Sequence, residues 1–384
     1  MTSPASPPPP ARPAADRSGA SRAGFALRAA ITAVLVLGYY YARDPLGELV
    51  ARWYARTVGG TPDPAAPRVV GVTVLLAVLF AVWRRVILPE KKLYAPILIT
   101  VILALSDASF SVLENHPAPG WLVALTGGAV MEYSPTFVTI AVTVLAELLV
   151  GRFYWGKWPN PTSAYITGIS AGILIKSSAL WPFVLCGMIS ITSKYVLRVA
   201  NRHLWNPTNF GVTAMLFLAP EYVASLTVQA GNNGGALAVI WLLGGLIMYT
   251  LGRFHIPLAF VATFVPLAFL RSSVTGHPWQ AEIAPVTSPM FQLYIFFMIT
   301  DPPTTTRAKW SQILVAVLVA VMETVYRLAF KDVHSLYHAL FTVGPAANLV
   351  EIIAGRLRSS RAGEGLKAGP DHPLLKSSPL QGTT

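Results

Sequence analysis

The chain has 384 residues, of which 54% are hydrophobic and only 12% charged, with a formal net charge of +12 and a mean hydropathy of +0.54. Soluble domains carry about 25% charged residues, so charge this sparse between long apolar runs excludes an ordinary soluble domain and reads as a polytopic membrane protein. The basic excess does not imply nucleic acid, because Lys and Arg sit in short clusters between apolar segments, with no nucleic-acid motif beside them.

In chain order, residues 1–22 are Pro, Ala, Ser and Arg without apolar periodicity and read as a disordered cytoplasmic tail. The run 25–41 lacks a small-x-small cleavage site, so a retained first membrane helix is expected rather than a signal peptide. Long apolar segments follow at 68–88, 94–106, 121–150, 179–198, 209–229, 236–252, 256–271, 311–330 and 335–354. Two shorter ones, 164–176 and 289–300, fall below the roughly 20 residues that a span needs, and read as half-helices or re-entrant segments. The expectation is an all-α membrane domain over 23–356 with about ten spans, and a second polar tail from 357 to 384.

Basic clusters at Arg84, Arg85, Lys91 and Lys92, at Lys194, Arg198 and Arg202, at Arg307 and Lys309, and at Arg356, Arg358 and Arg361 place both termini in the cytoplasm. The loop 106–120 lacks Lys and Arg and falls outside, whereas Arg43, Arg52 and Arg56 in the 43–67 loop run against this orientation. The single cysteine, Cys186, rules out an intrachain disulfide, a Cys-ligated iron–sulfur cluster and covalent c-type haem, and reads as a small buried apolar residue.

Two polar, Pro-containing motifs lie inside this apolar sequence: His203-Leu204-Trp205-Asn206-Pro207-Thr208-Asn209-Phe210 and Phe297-Met298-Ile299-Thr300-Asp301-Pro302-Pro303-Thr304. Lipid cannot satisfy a broken backbone, so such sequence must be buried in protein or line a cavity. A Ser-led short segment precedes a full span in each half (Ser163 and Ser288). A Pro-Asn motif then follows in each (Asn206-Pro207 and Pro345-Ala346-Ala347-Asn348), the second interrupting its span. This echo points to an inverted repeat with a site between the halves.

Asn206 can cap the helix that Pro207 begins, or leave its free N–H groups facing an anion in a cavity together with Asn209. Asp301, with Thr300, can cap a span beginning near 308, or stand as a carboxylate at the mouth of a broken helix. Glu147 and Glu323 are candidates for an ion or proton path, or for an ion pair such as Glu147 with Arg152. His334 and His338 share a helix face but have no evident third ligand, so no metal site is expected. Residues 231–235 read as a flexible turn, not a nucleotide loop. No Ser-His-Asp, Cys-His or paired-carboxylate arrangement of a self-contained enzyme is present.

Residues 161–211 carry Ser163-Ala164-Tyr165-Ile166-Thr167-Gly168, then Lys194 after the next span, then Asn206-Pro207-Thr208. Together with Phe297-Met298-Ile299-Thr300-Asp301-Pro302 and the terminal Asn348, this resembles a family of respiratory membrane proteins over about 94–354. That family joins the Rnf-D protein of the Rnf electron-transport complex to its counterpart in the sodium-pumping NADH:quinone reductase. The stretch 165–210 is similar to Rnf-D-like membrane proteins found with enediyne biosynthesis genes of actinomycetes. The resemblance implies a bacterial plasma-membrane protein acting in electron transfer or coupled transport, beside other membrane redox subunits or biosynthetic enzymes. It also implies FMN or riboflavin near Thr167, Lys194, Asn206, Asn209, Thr300 and Asp301. The respiratory members bond FMN to a Thr in a Ser-Gly-Ala-Thr type motif. The interval 217–234 has only Thr227 and no such motif, so any flavin is expected to be non-covalent. A cofactor-free transporter or channel for a solute, an ion or the enediyne product is the alternative, and a membrane anchor for biosynthetic enzymes a third.

Overall fold

In a computed structural model of the chain, residues 94–225 (apart from 111, 114 and 201) and 251–367 are described, with isolated positions between 24 and 57 and between 240 and 249. The tails 1–22 and 368–384, the segment 68–88, Thr227 and the turn 231–235 lie outside the described residues, as do most of 24–42 and much of 236–252.

The first group of helices is α1 (Tyr94–Phe110), the short α2 (Gly120–Leu125), α3 (Pro135–Trp155), α4 (Thr162–Leu174), α5 (Trp181–Val196) and α6 (Pro207–Leu218). The second is α7 (His255–Thr275), the short α8 (Trp279–Ile283), α9 (Pro289–Leu293) continuing into a π turn (Tyr294–Met298), α10 (Lys309–Ala329) and α11 (Ser335–Lys367). Three two-residue antiparallel pairings tie loops together: β1 (His116–Pro117) with β2 (Glu132–Tyr133), β3 (Ile175–Lys176) with β6 (Ala224–Ser225), and β4 (Arg198–Val199) with β5 (Arg202–His203).

Four helices are long and apolar enough to cross a membrane among the described residues: 135–155, 255–275, 309–329 and 335–357. α4 is apolar but shorter, as expected for its segment. The protein is therefore a helical membrane protein. Three expectations are corrected. The apolar run 121–150 is not one helix, because the turn at 126–129 and the β1–β2 pairing intervene and the span starts at Pro135. The run 209–229 stops as a helix at Leu218, before Pro220, which has no N–H to continue it. Pro345 does not interrupt α11, which passes through it and continues past 357 to Lys367.

The two groups pack alike. α3 lies on α4 and α5, and α5 lies on α6; α7 lies on α10, and α10 on α11. The short α4 and the broken α9 occupy the middle of the molecule, where α6 meets α11 and α4 meets α9. The close fit of α4 follows from two glycines one turn apart. A Cβ at Gly168 would stand 2.6 Å from the Ile140 Cα, and one at Gly172 would stand 2.7 Å from the Thr136 Cα. Small residues at this spacing let helix backbones approach where lipid gives no hydrophobic drive between helices.

The loops sort into two ends. One gathers Arg152, Lys157, Lys194, Arg198, Arg202, Arg253, Arg307 and Lys309; the other gathers Glu132, Glu221, Glu282 and Asp332 beside fewer basic residues. The pairing of β3 with β6 ties the chain just after α4 to the chain beyond α6 at the second end. The β4–β5 hairpin joins α5 to α6 at the first, arginine-rich end.

Candidate functional site

At the arginine-rich end a cavity of about 390 Å³ opens between the groups, lined among others by Ser163, Thr167, Lys194, His203, Asn206 and Asp301. Each wall follows from local sequence. Thr162 and Ser163 begin α4 and line the cavity, so the N-terminus of this helix lies at its wall, where Asn160 Oδ1 takes the Thr162 N–H at 3.0 Å. Asn206 is the N-cap of α6, with Pro207 in the first helical position. Its Oδ1 accepts the Asn209 N–H at 3.0 Å, while its Nδ2 reaches the Met298 carbonyl at 3.5 Å across the groups. The π turn delivers Phe297 and Met298 to the same wall before the chain turns at Asp301. Such wide turns are rare, and they concentrate at functional sites.

Lys194, in the last turn of α5, is buried, and its Nζ stands 2.6 Å from Glu147 Oε2 and 3.4 Å from Ser163 Oγ. Glu147 therefore pairs with Lys194 and not with Arg152, whose guanidinium donates instead to the Gly156 carbonyl at 2.9 Å. The cause is helix phase: Glu147 is on the buried face of α3 against α5, and Arg152 is on the exposed face.

Asp301 does not cap α10, whose N-cap is Ala308. It caps its own turn: Thr304 Oγ1 donates to Asp301 Oδ2 at 2.8 Å, and the Thr305 N–H donates to its carbonyl at 3.0 Å. Four residues pin this loop from both groups. Arg253 Nη1 donates to the Thr300 carbonyl at 3.1 Å, and Arg202 Nη2 to the Thr305 carbonyl at 2.8 Å. Asn348 Nδ2 donates to the Thr304 carbonyl at 2.6 Å, and Glu351 Oε1 accepts the Arg307 N–H at 2.7 Å.

Burial raises the Asp301 pKa from 3.8 to about 6, against the lowering effects of Thr304, Lys194, Arg253 and Asn206. Burial, together with Arg198 and Lys194, lowers the His203 pKa to about 4, so its ring is neutral near pH 7. His203 Nδ1 is buried without a partner on the cavity wall. The Asp301 shift has a sign that can be tested. The folded chain keeps this proton where the unfolded chain has released it, so its contribution to stability falls as pH rises from 3.8 to about 6 and is level above. We expect Asp301→Asn to remove that slope and to melt higher than the parent above pH 6. A Tm series in detergent across this window reads it, and parallel curves for the two proteins would count against the shift.

Of the residues expected to form a site, the structure brings Thr167, Lys194, Asn206 and Asp301 to one cavity. Asn209 and Thr300 stand behind it: Asn209 Nδ2 donates to the Tyr337 carbonyl at 3.0 Å, and Thr300 Oγ1 donates to the Phe296 carbonyl. Glu147 lies behind Lys194. Glu323 is at the opposite end, paired with Arg271 at 3.0 Å and Arg327 at 2.9 Å. Sequence reasoning did not single out Ser163, His203, Thr208 or Phe297 as site residues. Their signal was membership of the motifs at 163–168, 203–210 and 297–304. His334 shares a hydrogen bond with Ser225 and His338 with Asp332, and no group of three potential metal ligands occurs among the described residues.

Chemically, the cavity offers two helix N-termini and an ammonium toward an anion or a carbonyl, hydroxyls and an amide as hydrogen-bond partners, and an apolar wall at Ile166, Phe297 and Met298. No curated protein matches the chain. Residues 219–342, which include the 297–302 motif but not those within 161–211, match the NQR2, RnfD, RnfE family, and over that stretch the chain is similar to it.

Proposed function

We propose that this protein is an Rnf-D-like membrane protein that holds a flavin non-covalently between its two helix groups and passes electrons through it. The observation that carries this reading is the meeting of Thr167, Lys194, Asn206 and Asp301 around one cavity. Its size is within the range of small-molecule sites, about 300–1,000 Å³. Its residues suit a flavin: the Lys194 ammonium, the Asn206 amide and the partnerless His203 Nδ1 would offer it hydrogen bonds, and Phe297 an apolar surface. Bound there, a flavin would supply one- and two-electron chemistry. These residues would hold it, beside an Asp301 whose pKa burial has raised to about 6. The family match over 219–342 supports the same reading.

The similar packing of α3–α5–α6 and α7–α10–α11 around short α4 and broken α9 supports an inverted repeat. The arginine-rich end supports a cytoplasmic orientation for the cavity in a bacterial plasma membrane. Other membrane redox subunits are the expected partners. The finer likeness to proteins of enediyne clusters rests on 165–210, and a role in enediyne biosynthesis is proposed on that ground alone.

The test is the absorbance spectrum of detergent-purified protein, then denaturation and assay of released flavin. Stoichiometric free flavin, lost in Asn206→Ala and Asp301→Ala, is expected. Flavin retained on the denatured chain would overturn the non-covalent reading, and a colourless folded protein would sink the flavin itself.

The second reading is a transporter or channel without a cofactor. It is favoured by another cavity of about 700 Å³ at the opposite end, lined by Glu282, Arg327, Ser335 and Tyr337 and reached along the broken α9. In it, Glu147 and Glu323 would border the path of an ion or proton. Uptake of a probe ion into vesicles by colourless protein would select it.

A further inference from the structure

Next to the cavity proposed for the flavin, at the same arginine-rich end, lies another of about 440 Å³ that neither reading uses. The two share His203 and Pro303, so they meet where the β4–β5 hairpin faces the loop that follows the π turn. Their linings are opposite in chemistry. The first has the apolar wall of Ile166, Phe297 and Met298. The second has no Leu, Ile, Val, Met, Phe, Tyr or Trp and no carboxylate; Arg202, Arg253 and Arg307 line it with Thr305, Thr306 and Gln312.

The three arginines are not equally free. Arg202 is paired with Glu351 and donates to the Thr305 carbonyl, so it builds the wall and adds no net charge. Arg253 donates from Nη1 alone, to the Thr300 carbonyl and at 2.6 Å to Thr305 Oγ1. Its Nε and Nη2, the edge that pairs bidentately with a phosphate, have no partner among the described residues. The Arg307 guanidinium makes no hydrogen bond or salt bridge among the described residues; Glu351 takes its backbone N–H and feels its charge from further off. With Lys194 balanced by Glu147, these three arginines face two carboxylates, Glu351 and Asp301, which leaves one positive charge over. Two neutral features point the same way. Thr306 is buried and lines this cavity, yet its Oγ1 has no partner, so a group that accepts from it removes the cost of an unmatched hydroxyl. α10 begins here, and Ala308, its N-cap, has no side chain to accept the first N–H groups. The positive end of this 21-residue helix adds to the pull on an anion.

We infer that this cavity binds a phosphate group, held by Arg253, Arg307 and Thr306, and that the phosphate is that of a flavin nucleotide whose ring occupies the neighbouring cavity. On the flavin reading, on which this depends, the ligand narrows from riboflavin or FMN to FMN. The apolar wall takes the ring and the arginine wall takes the dianion. The ribityl chain crosses at His203, whose partnerless Nδ1 can share a hydrogen bond with a ribityl hydroxyl.

The experiment takes the full chain, stripped of flavin in detergent, and titrates it with FMN and with riboflavin, read by quenching of flavin fluorescence. FMN is expected to bind roughly 10- to 100-fold more tightly than riboflavin, with inorganic phosphate competing against FMN and not against riboflavin. Arg307→Gln keeps the backbone N–H that Glu351 takes, and should weaken FMN roughly tenfold while riboflavin is unchanged. Thr306→Val keeps the volume and removes the partnerless hydroxyl, and should weaken FMN severalfold with riboflavin again unchanged. Arg253→Gln should match Arg307→Gln but also strips the Thr300 carbonyl of its donor; should it not fold, the other two variants carry the test. Riboflavin binding as tightly as FMN would overturn the phosphate site and leave the flavin reading standing. An equal loss of both flavins in Arg307→Gln would overturn it too. Inorganic phosphate that binds without displacing FMN would mark a free-anion site and do the same. Binding of neither flavin would overturn both readings together.

Discussion

Arg271→Leu is expected to destabilise the protein by about 3–5 kcal/mol, the usual cost of breaking a buried ion pair from one side. Arg271 is fully buried near the end of α7 and donates in three directions. Nη1 reaches Glu323 Oε2 at 3.0 Å and Thr324 Oγ1 at 2.8 Å; Nε reaches Glu282 Oε2 at 3.1 Å; Nη2 reaches the Glu282 carbonyl at 3.2 Å. Its guanidinium also lies 4.5 Å from the centre of the Phe264 ring. Arg327 pairs with Glu323 at 2.9 Å and lies 3.5 Å from Glu282, and Ser335 Oγ donates to Glu323 Oε1 at 3.3 Å. Two arginines and two glutamates balance, and together they bind α7, α8, α10 and the start of α11. Remove Arg271, and one buried negative charge has no counterpart. Replacing both partners by apolar groups leaves Glu282 opposite Arg327 at 3.5 Å and the charges balanced, so Arg271→Leu with Glu323→Leu should recover part of the loss. Unfolding of the four proteins in detergent gives the coupling directly. A coupling near zero would show that the helices are held by packing alone.

This network shows where the sequence was legible and where it was not. Glu323 stood out because a carboxylate in an apolar run is conspicuous, whatever its role. Its partners did not. Arg271 closes an apolar segment and looks like an interfacial residue, and Glu282 lies in a polar connection. Only the folding of α8 back onto α7 and α10 makes them a cluster, and no local pattern reports that contact. The cavity was more legible because broken helices leave a local trace: Pro207 after a capping Asn206, and Asp301 before two prolines. The Ser-led α4 was visible by its shortness. Pro345 misled because the rule that proline stops a helix is local, whereas buried neighbours carry α11 through it. The Glu147 partner misled because a helical interval of five residues looked close in sequence, while the buried neighbour was Lys194 on another helix.

Lys194 is where structure and function can be separated, because it answers to both. Its ammonium is held by Glu147 at 2.6 Å behind the cavity and leans on Ser163 at 3.4 Å within it. Lys194→Met alone strands the Glu147 carboxylate in the protein interior, and a loss of about 3–5 kcal/mol is expected whatever the cavity binds. That variant therefore cannot decide the role of the lysine. Lys194→Met with Glu147→Leu can. It removes both charges, leaves similar volumes, and should restore most of the stability. The cavity would still lack its ammonium. A hydrogen bond from a charged donor contributes about 1.5–3 kcal/mol, so flavin should bind the stable double variant roughly 10- to 100-fold more weakly than the parent. Titration of apo-protein with riboflavin and with FMN measures this. A larger loss for FMN would place the ammonium near the phosphate, and an equal loss near the ring. Undiminished binding by a well-folded double variant would make Lys194 a strut for α3 and α5 and leave the Asn206 amide, the hydroxyls and the helix N-termini to hold the ligand.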